Sequence, residues 1–221
     1  APGTSLGEAV EICPELGLIA PDPTRAEAVH EGILRRLEGI GAAVESSRPG
    51  EAFFRADGLD RLHGGLEGVL AAARRGLGPA PRLAAAPTRL AALAAALEAE
   101  TGEAVTVEPA RLRGHLAALP VTILAGRLER PGGEEAVNSM RRLGLKRLGD
   151  LAALSRDHAA DRFGPVGLEA RGLARGEEAP LRPRPPREEI VEQVELPEAA
   201  SGRHLQGGIA ILCDRLSGRL R

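Results

Sequence analysis

The stretch VESSRPGEAFFRADG, Val44 to Gly58, decides how the rest of the chain is read. Two short runs of strand-forming residues flank Arg48-Pro49-Gly50-Glu51. Pro followed by Gly suits the two central positions of a type II turn, because Pro presets φ near −65° and Gly accepts φ > 0. The stretch therefore predicts a β-hairpin. Its acids are Glu45, Glu51 and Asp57, with Gly50 immediately before Glu51. Chemistry with two divalent metals needs several carboxylates converging within a few ångströms. One acid just past a turn is a thin start for such a site, and the spacing leaves Glu51 as a turn residue or at most a weak metal ligand.

Working outward, local signals place the neighbouring elements. Thr4 or Ser5 with Glu8 reads as a capping box opening a helix to about Ile12. The run Leu16–Asp22 reads as a short buried strand. Asp22-Pro23 then starts a helix carrying Val29, Ile33, Leu34, Leu37 and Ile40 at helical spacing. After the hairpin come a helix over Gly64–Leu77, a strand at RLAAAP, a helix over Thr88–Glu100 and a strand at EAVTVEP. That alternation predicts an α/β layer domain with a mixed sheet.

From Leu119 onward the expectation is a small all-α unit, with helices over Gly133–Leu143, Leu148–Leu154, Arg156–Phe163 and Pro165–Ala174. LRPRPPREE (Leu181–Glu189) reads as a stiff extended linker. EIVEQVEL then reads as an edge strand and Ser201–Arg221 as an amphipathic helix with Leu205, Ile209, Leu212 and Leu216, the start of a further domain. Because the chain opens on Ala1 and stops within a helical pattern, we expect a fragment lacking both ends.

Composition narrows the function classes. The net charge is −2, so no global field draws the chain to nucleic acid or to an anionic membrane, and any such contact rests on local patches. The aromatics are Phe53, Phe54 and Phe163, so Ala, Leu, Val and Ile must build the core. Cys13 and Cys213 have no companion at metal-ligand spacing, which argues against a zinc site. No Walker A sequence, G-x-G-x-x-G or Ser/His/Asp set is legible, and His63 reads as a turn residue. With no signal peptide or spanning run in view, the expected location is cytoplasmic, with no membrane partner.

The best nucleic-acid signal is MRRLGLKRLGDL. It sets Arg141, Arg142, Lys146 and Arg147 around the turn at Gly144, with no acid before Asp150. A short helix, a Gly turn and a second helix match a helix-hairpin-helix, whose turn amides hold a phosphate while Arg and Lys add sequence-independent attraction. A solvated basic face accounts for the same residues. Arg182, Arg184 and Arg187 of the linker extend the patch or only keep the segment soluble. Arg89 stands near the start of the Thr88–Glu100 helix, where a phosphate could bind, although a plain strand-to-helix connection explains it too.

In this order the segments resemble the Y-family, the translesion DNA polymerases. TSLGEAVEICPEL resembles its fingers, and VESSRPGEAFFRADG lies where the family writes its palm hairpin, S-[IL]-D-E-A-[YF]-[LV]-D. RLAAAPTRLAALAAAL resembles the palm strand and helix, the stretch from Leu119 to Gly164 the thumb, and REEIVEQVELPEA the entry to the little finger. The resemblance implies residues 1–17 as a fingers remnant, 18–118 as palm, 119–178 as thumb, 179–188 as linker and 189–221 as the start of the little finger. Carried over residue by residue, the family's Ser falls on Arg48, its metal-binding Asp on Gly50, its Glu on Glu51 and its closing Asp on Arg55. A palm-helix Lys that reaches the incoming triphosphate falls on Leu93. The first thumb hairpin, P-G-[VI]-G, has become Arg130-Pro131-Gly132-Gly133, which makes Gly132 and Gly133 further candidates for DNA contact. The family's other metal-binding Asp lies on a strand outside this chain.

The pattern is most similar to the catalytically degenerate ImuB-type branch of bacterial mutagenesis complexes. The resemblance implies a non-catalytic scaffold of DNA damage tolerance and the SOS response, with no cofactor. It would bind primer-template DNA weakly and recruit the sliding clamp, an accessory mutagenesis protein and an active replicative-type polymerase. The alternative it implies is an active or weakly active polymerase using Mg2+, Glu51, a carboxylate from that outside strand and Asp57.

Overall fold

The structure is a computed structural model that describes residues 5–17, 19–78, 81–185, 192–196, 199 and 201–219. Chain contacts divide it into two compact units, 1–184 and 185–221.

The first unit opens with α1 (Leu6–Ile12), where Ser5 and Glu8 form the expected capping box. The expected strand at Leu16–Asp22 does not form. Its described residues are irregular and exposed, and Ile19 is 94 % exposed. A buried strand needs a hydrogen-bonding neighbour, and among the described residues none pairs with this run. Helix α2 (Pro23–Gly39) follows, its first turn closed by Asp22 accepting from Arg25 N at 2.9 Å. Leu34 and Leu37 are buried as the periodicity requires, whereas Val29 is exposed.

The hairpin is real: β1 (Val44–Arg48) pairs antiparallel with β2 (Glu51–Phe54). Partners run Val44–Phe54 and Glu45–Phe53, then shift to Arg48–Glu51 across a bulge at Ser46 and Ser47. Next come α3 (Asp60–His63), unforeseen from sequence, α4 (Leu66–Leu77), β3 (Leu83–Ala85), α5 (Arg89–Glu98) and β4 (Ala104–Thr106). β3 and β4 are parallel. The single mixed sheet expected from the alternation is instead two separate pairs, β1-β2 and β3-β4, among the described residues. A cleft of about 660 Å³ is lined by β2, β3 and residues 178–181.

Two cores hold the unit. Val44 of β1, Leu34 and Leu37 of α2, and Val69 and Ala73 of α4 make the smaller one. The larger one joins Leu90, Ala91 and Ala94 of α5 to Leu116 of α6 (Leu112–Ala118), to Met140 of α7 (Gly133–Arg142), and to Leu148 and Leu151 of α8 (Leu148–Ala153). Ala170 and Ala174 of α9 (Arg156–Ala174) complete it. The helices after Leu119 share this core with α5 and with α6, which was also unforeseen. Burial of this order, at about 25 cal/mol per Å², is what fixes the helices after Leu119 to the strand-bearing half. Helix α9 breaks at Gly164, where φ is 63° and ψ −153° just before Pro165, so the two expected helices meet there.

One linker arginine, Arg184, does not extend a basic patch. Arg184 is drawn into the body, its guanidinium bonding Glu38 at 2.7 and 3.0 Å and Glu31 at 2.6 and 3.2 Å. Its backbone N donates to Val44 O at 2.9 Å, and Arg182 N donates to Glu45. Residues 181–185 carry no regular secondary structure, and Arg182 and Arg184 strap this part of the linker down; Arg187 lies outside the described residues.

In the second unit α10 (Gly202–Arg219) forms as expected, although Leu205 and Ile209 of its apolar stripe stay exposed. The expected strand at EIVEQVEL is absent from its described part, 192–196, with Ile190 and Val191 outside the described residues. A lone edge strand has no sheet to join here.

The strap makes a pH prediction. Hydrogen bonds from Arg184 hold the Glu31 carboxyl down at about 2, against the opposing effect of burial. A depressed carboxyl contributes stability that is present above its ordinary value and lost as pH falls toward its folded value. Stability should therefore decline between about pH 4.5 and pH 2 partly through Glu31. Replacing Glu31 and Glu38 together by Gln should cost about 1 kcal/mol at pH 7 and flatten that decline, as read by urea titration across pH.

Candidate nucleic-acid interface and the palm-like hairpin

The hairpin turn places Gly50 at φ 85°, the left-handed conformation that Gly adopts without strain and that a type II turn requires. Gly50 offers no side chain, and its N–H donates to His30 Nδ1 of α2 at 3.1 Å. The other ring nitrogen, Nε2, lies 2.9 Å from Ser46 Oγ, which donates to Glu51 O at 2.7 Å. His30 thus ties the turn and the bulge to α2. Sequence reading missed it, since nothing in its spacing marks a residue 20 positions before the turn.

Glu51 points both carboxylate oxygens at one arginine. Arg127 Nη1 donates to Oε2 and Nη2 to Oε1, each at 2.8 Å. Both side chains are about four-fifths buried, at 20 % and 24 % exposure. Arg127 holds the Glu51 carboxyl below the usual carboxylate range; burial opposes this, and Arg48 adds to it.

The other two acids of the stretch are engaged as well. Asp57 pairs with Arg55 at 2.5 and 3.0 Å. Glu45 accepts from Arg89 Nη1 at 2.5 Å and from Arg182 N. Each hairpin carboxylate therefore faces a different arginine, and the three do not converge. No group of three or more His, Cys, Asp or Glu among the described residues could hold a metal ion. The residues present do not fit the pair of divalent ions that the resemblance implies for such a hairpin.

Arg89 sits where α5 begins, as the sequence suggested. The N-terminal amides a phosphate would use are filled by the chain itself: Glu178 accepts from Arg89 N at 2.8 Å and from Leu90 N at 2.9 Å. Arg89 Nε adds a bond to Glu178 at 3.3 Å. Burial works against the charge of Arg89, but Glu45 and Glu178 outweigh it and raise its pKa. Leu93, one turn on, is buried at 8 % exposure, so a Lys in its place would meet core rather than solvent.

The second hairpin is built as expected. Helix α7 ends at Gly144, φ 87°, with Gly144 N bonding Arg141 O and Leu145 N bonding Met140 O, both at 3.0 Å. This is a Schellman closure, which a Gly at that position permits. Helix α8 then starts with Asp150 accepting from Lys146 N and Arg147 N, each at 2.9 Å. Those two bonds hold the Asp150 carboxyl below its ordinary value. Arg141, Arg142, Lys146 and Arg147 are all exposed around this turn. No ion pair engages Arg141, Arg142 or Lys146 among the described residues. Arg147 reaches back to Ala118 O at 3.0 Å.

At the other end of α7, Gly132 caps the helix at φ 82° without a side-chain hydrogen bond, and Gly133 is its first residue. The loop before it is held by Glu169 of α9, which accepts from Glu129 N at 2.6 Å and from Arg130 N at 3.3 Å. The structure thus brings Arg141, Arg142, Gly144, Lys146 and Arg147 together at one turn. It sets Gly132 and Gly133 at the opposite end of the same helix, and Arg89 and Glu51 in separate ion-pair networks.

Comparison with known proteins fits this architecture. No family model matches the chain. In sequence it is similar to a DNA polymerase IV of Caulobacter vibrioides, 28 % identical over a match covering 78 % of this chain and 43 % of that protein. It is also similar to a DNA polymerase IV of Ralstonia nicotianae, 25 % identical over 97 % of this chain and 60 % of that one. Among solved structures it superposes on a ternary complex of Dbh with a TM-score of 0.59 at 18 % identity, covering 82 % of this chain and 55 % of that one. DinB from Sulfolobus solfataricus gives 0.59 at 16 %, covering 82 % and 54 %. The chain spans about half the length of the proteins it matches. Its fold is that of Y-family polymerase domains, with homology to polymerases IV at low identity. No helix among the described residues is long and apolar enough to cross a membrane.

Removing one partner of a half-buried ion pair leaves the other desolvated and unpaired. Arg127→Ala should therefore cost about 1–3 kcal/mol, and a double-mutant cycle with Glu51→Ala should return a coupling of about 1 kcal/mol or more. Denaturant titration of the four proteins measures both; a coupling within error of zero would contradict the pairing.

Proposed function

We propose that this chain is the polymerase-shaped DNA-binding part of a non-catalytic scaffold in DNA damage tolerance, of the ImuB type. The observation that carries the reading is the Glu51–Arg127 pair. The one carboxylate retained at the family's hairpin spends both oxygens on an arginine, and Gly50 beside it supplies no ligand. Nucleotide transfer on two metals has nothing to assemble on at that turn. Leu93 in place of Lys removes a triphosphate contact in the same sense.

In this reading residues 18–118 act as palm and 119–178 as thumb, after a fingers remnant at 1–17. Residues 179–188 join them to the start of a little finger at 189–221. DNA is held by the exposed arginines and Lys146 of the second hairpin, through backbone phosphates and without base reading. Recruitment of a sliding clamp, an accessory mutagenesis protein and an active polymerase belongs to the same proposal, as does a cytoplasmic location.

A second reading, an active translesion polymerase, is favoured by the sequence likeness to two proteins named DNA polymerase IV. It would require Glu51 to leave Arg127 for a metal ion.

Primer extension and DNA binding by the same preparation separate the two. The scaffold reading expects no nucleotide incorporation with Mg2+ or Mn2+, and binding to primer-template DNA that a Lys146→Glu/Arg147→Glu variant weakens about tenfold or more at low salt. Incorporation that disappears in Glu51→Ala would establish the enzyme instead. Unchanged binding by the charge-reversed variant would remove the second hairpin from the interface.

A further inference from the structure

Helix α7 joins two hairpins that differ in charge. Its ten residues set the two ends about 15 Å apart. At the C-terminal end Arg141, Arg142, Lys146 and Arg147 are exposed, and Asp150, which opens α8 beside them, is occupied with two amides. At the N-terminal end the first turn carries Glu134 and Glu135, both exposed, and Glu129 is exposed just before it. The amides of Glu129 and Arg130 already hold an anion, the Glu169 carboxylate, and Arg130 Nε lies 3.9 Å from the same group. The helix dipole favours this distribution of charge, so α7 is stable with it. A DNA backbone meets a different situation, because phosphate is attracted at one end and repelled at the other.

We infer that this chain holds DNA by the second hairpin alone, and that Glu134 and Glu135, together with the Glu169-filled loop, exclude phosphate from the first. The inference rests on the DNA-binding reading above and adds to it which residues set affinity. Four exposed cations at one turn engage at most about four phosphates, so the contact is a single pivot on one stretch of backbone with a log–log salt slope of about −3 to −4. Glu134 and Glu135 are then affinity-determining residues that act by repulsion, not by contact.

Fluorescence anisotropy with a labelled primer-template duplex, on the full chain at 50–200 mM salt, tests this. Arg130→Glu should leave affinity within about twofold of wild type, while Lys146→Glu weakens it about fivefold or more. Glu134→Lys/Glu135→Lys should raise affinity about tenfold and steepen the salt slope by about 1 to 2 as the first hairpin gains phosphates. Both sites are exposed, and thermal unfolding verifies that the variants fold. If Arg130→Glu weakens binding as much as Lys146→Glu, or the Lys pair leaves affinity unchanged, the single-hairpin inference is overturned while the DNA reading stands. Wild-type protein that fails to bind duplex at 50 mM salt overturns the reading beneath and this inference with it.

Discussion

A guanidinium set squarely against a carboxylate is the interaction on which this structure depends, and Arg127 on Glu51 is its clearest case. Two parallel N–H···O bonds of 2.8 Å satisfy both oxygens at once. The pair joins β2 to the turn after residues 121–124, and so connects the hairpin to the helical half of the unit. The same chemistry recurs at Glu45–Arg89–Glu178 and at Arg184–Glu31–Glu38. Arg89 and Glu178 bind the start of α5 to the segment after α9, and Arg184 straps the chain back onto α2. Each bond set spans a long stretch of sequence at little local cost. A half-buried carboxylate facing a guanidinium is stable, and one without a partner is expensive.

That constraint also decides what the hairpin carboxylates face. Divalent ions require carboxylates that converge and stay unpaired until the metal arrives. Here Glu45, Glu51 and Asp57 diverge toward three arginines, and Gly50 at the turn supplies no side chain. Pro49-Gly50 is a low-strain pair for a type II geometry, and His30 accepts from the Gly50 amide.

Much of the fold was legible because it is written locally. The Ser5–Glu8 box, Asp22-Pro23, the Pro49-Gly50 turn, the Gly144 closure and the Gly164-Pro165 break all act within a few residues, and each element appears where its signal stands. The failures share a long-range cause. Leu16–Asp22 has strand composition but no described neighbour to pair with, and the alternation of β3, α5 and β4 does not disclose that among the described residues they pair apart from the hairpin. Nor does periodicity show that α5 shares its core with α7, α8 and α9. At the site, the position of Glu51 was readable, but its partner lies 76 residues away in RLERPGG, where no spacing marks Arg127. Glu178, which fills the N-terminus of α5, was hidden for the same reason.

Under the scaffold proposal Glu51 serves as an ion-pair residue and not as a metal ligand. Paramagnetic relaxation by Mn2+ reads this at the atoms concerned, through the backbone amide signals of Gly50, Glu51 and Ala52 in a titration of the isotopically labelled chain. With Glu51 held by Arg127, these signals broaden no more than those of other exposed amides. Selective, saturable broadening at Gly50 and Glu51, abolished by Glu51→Ala, would contradict it.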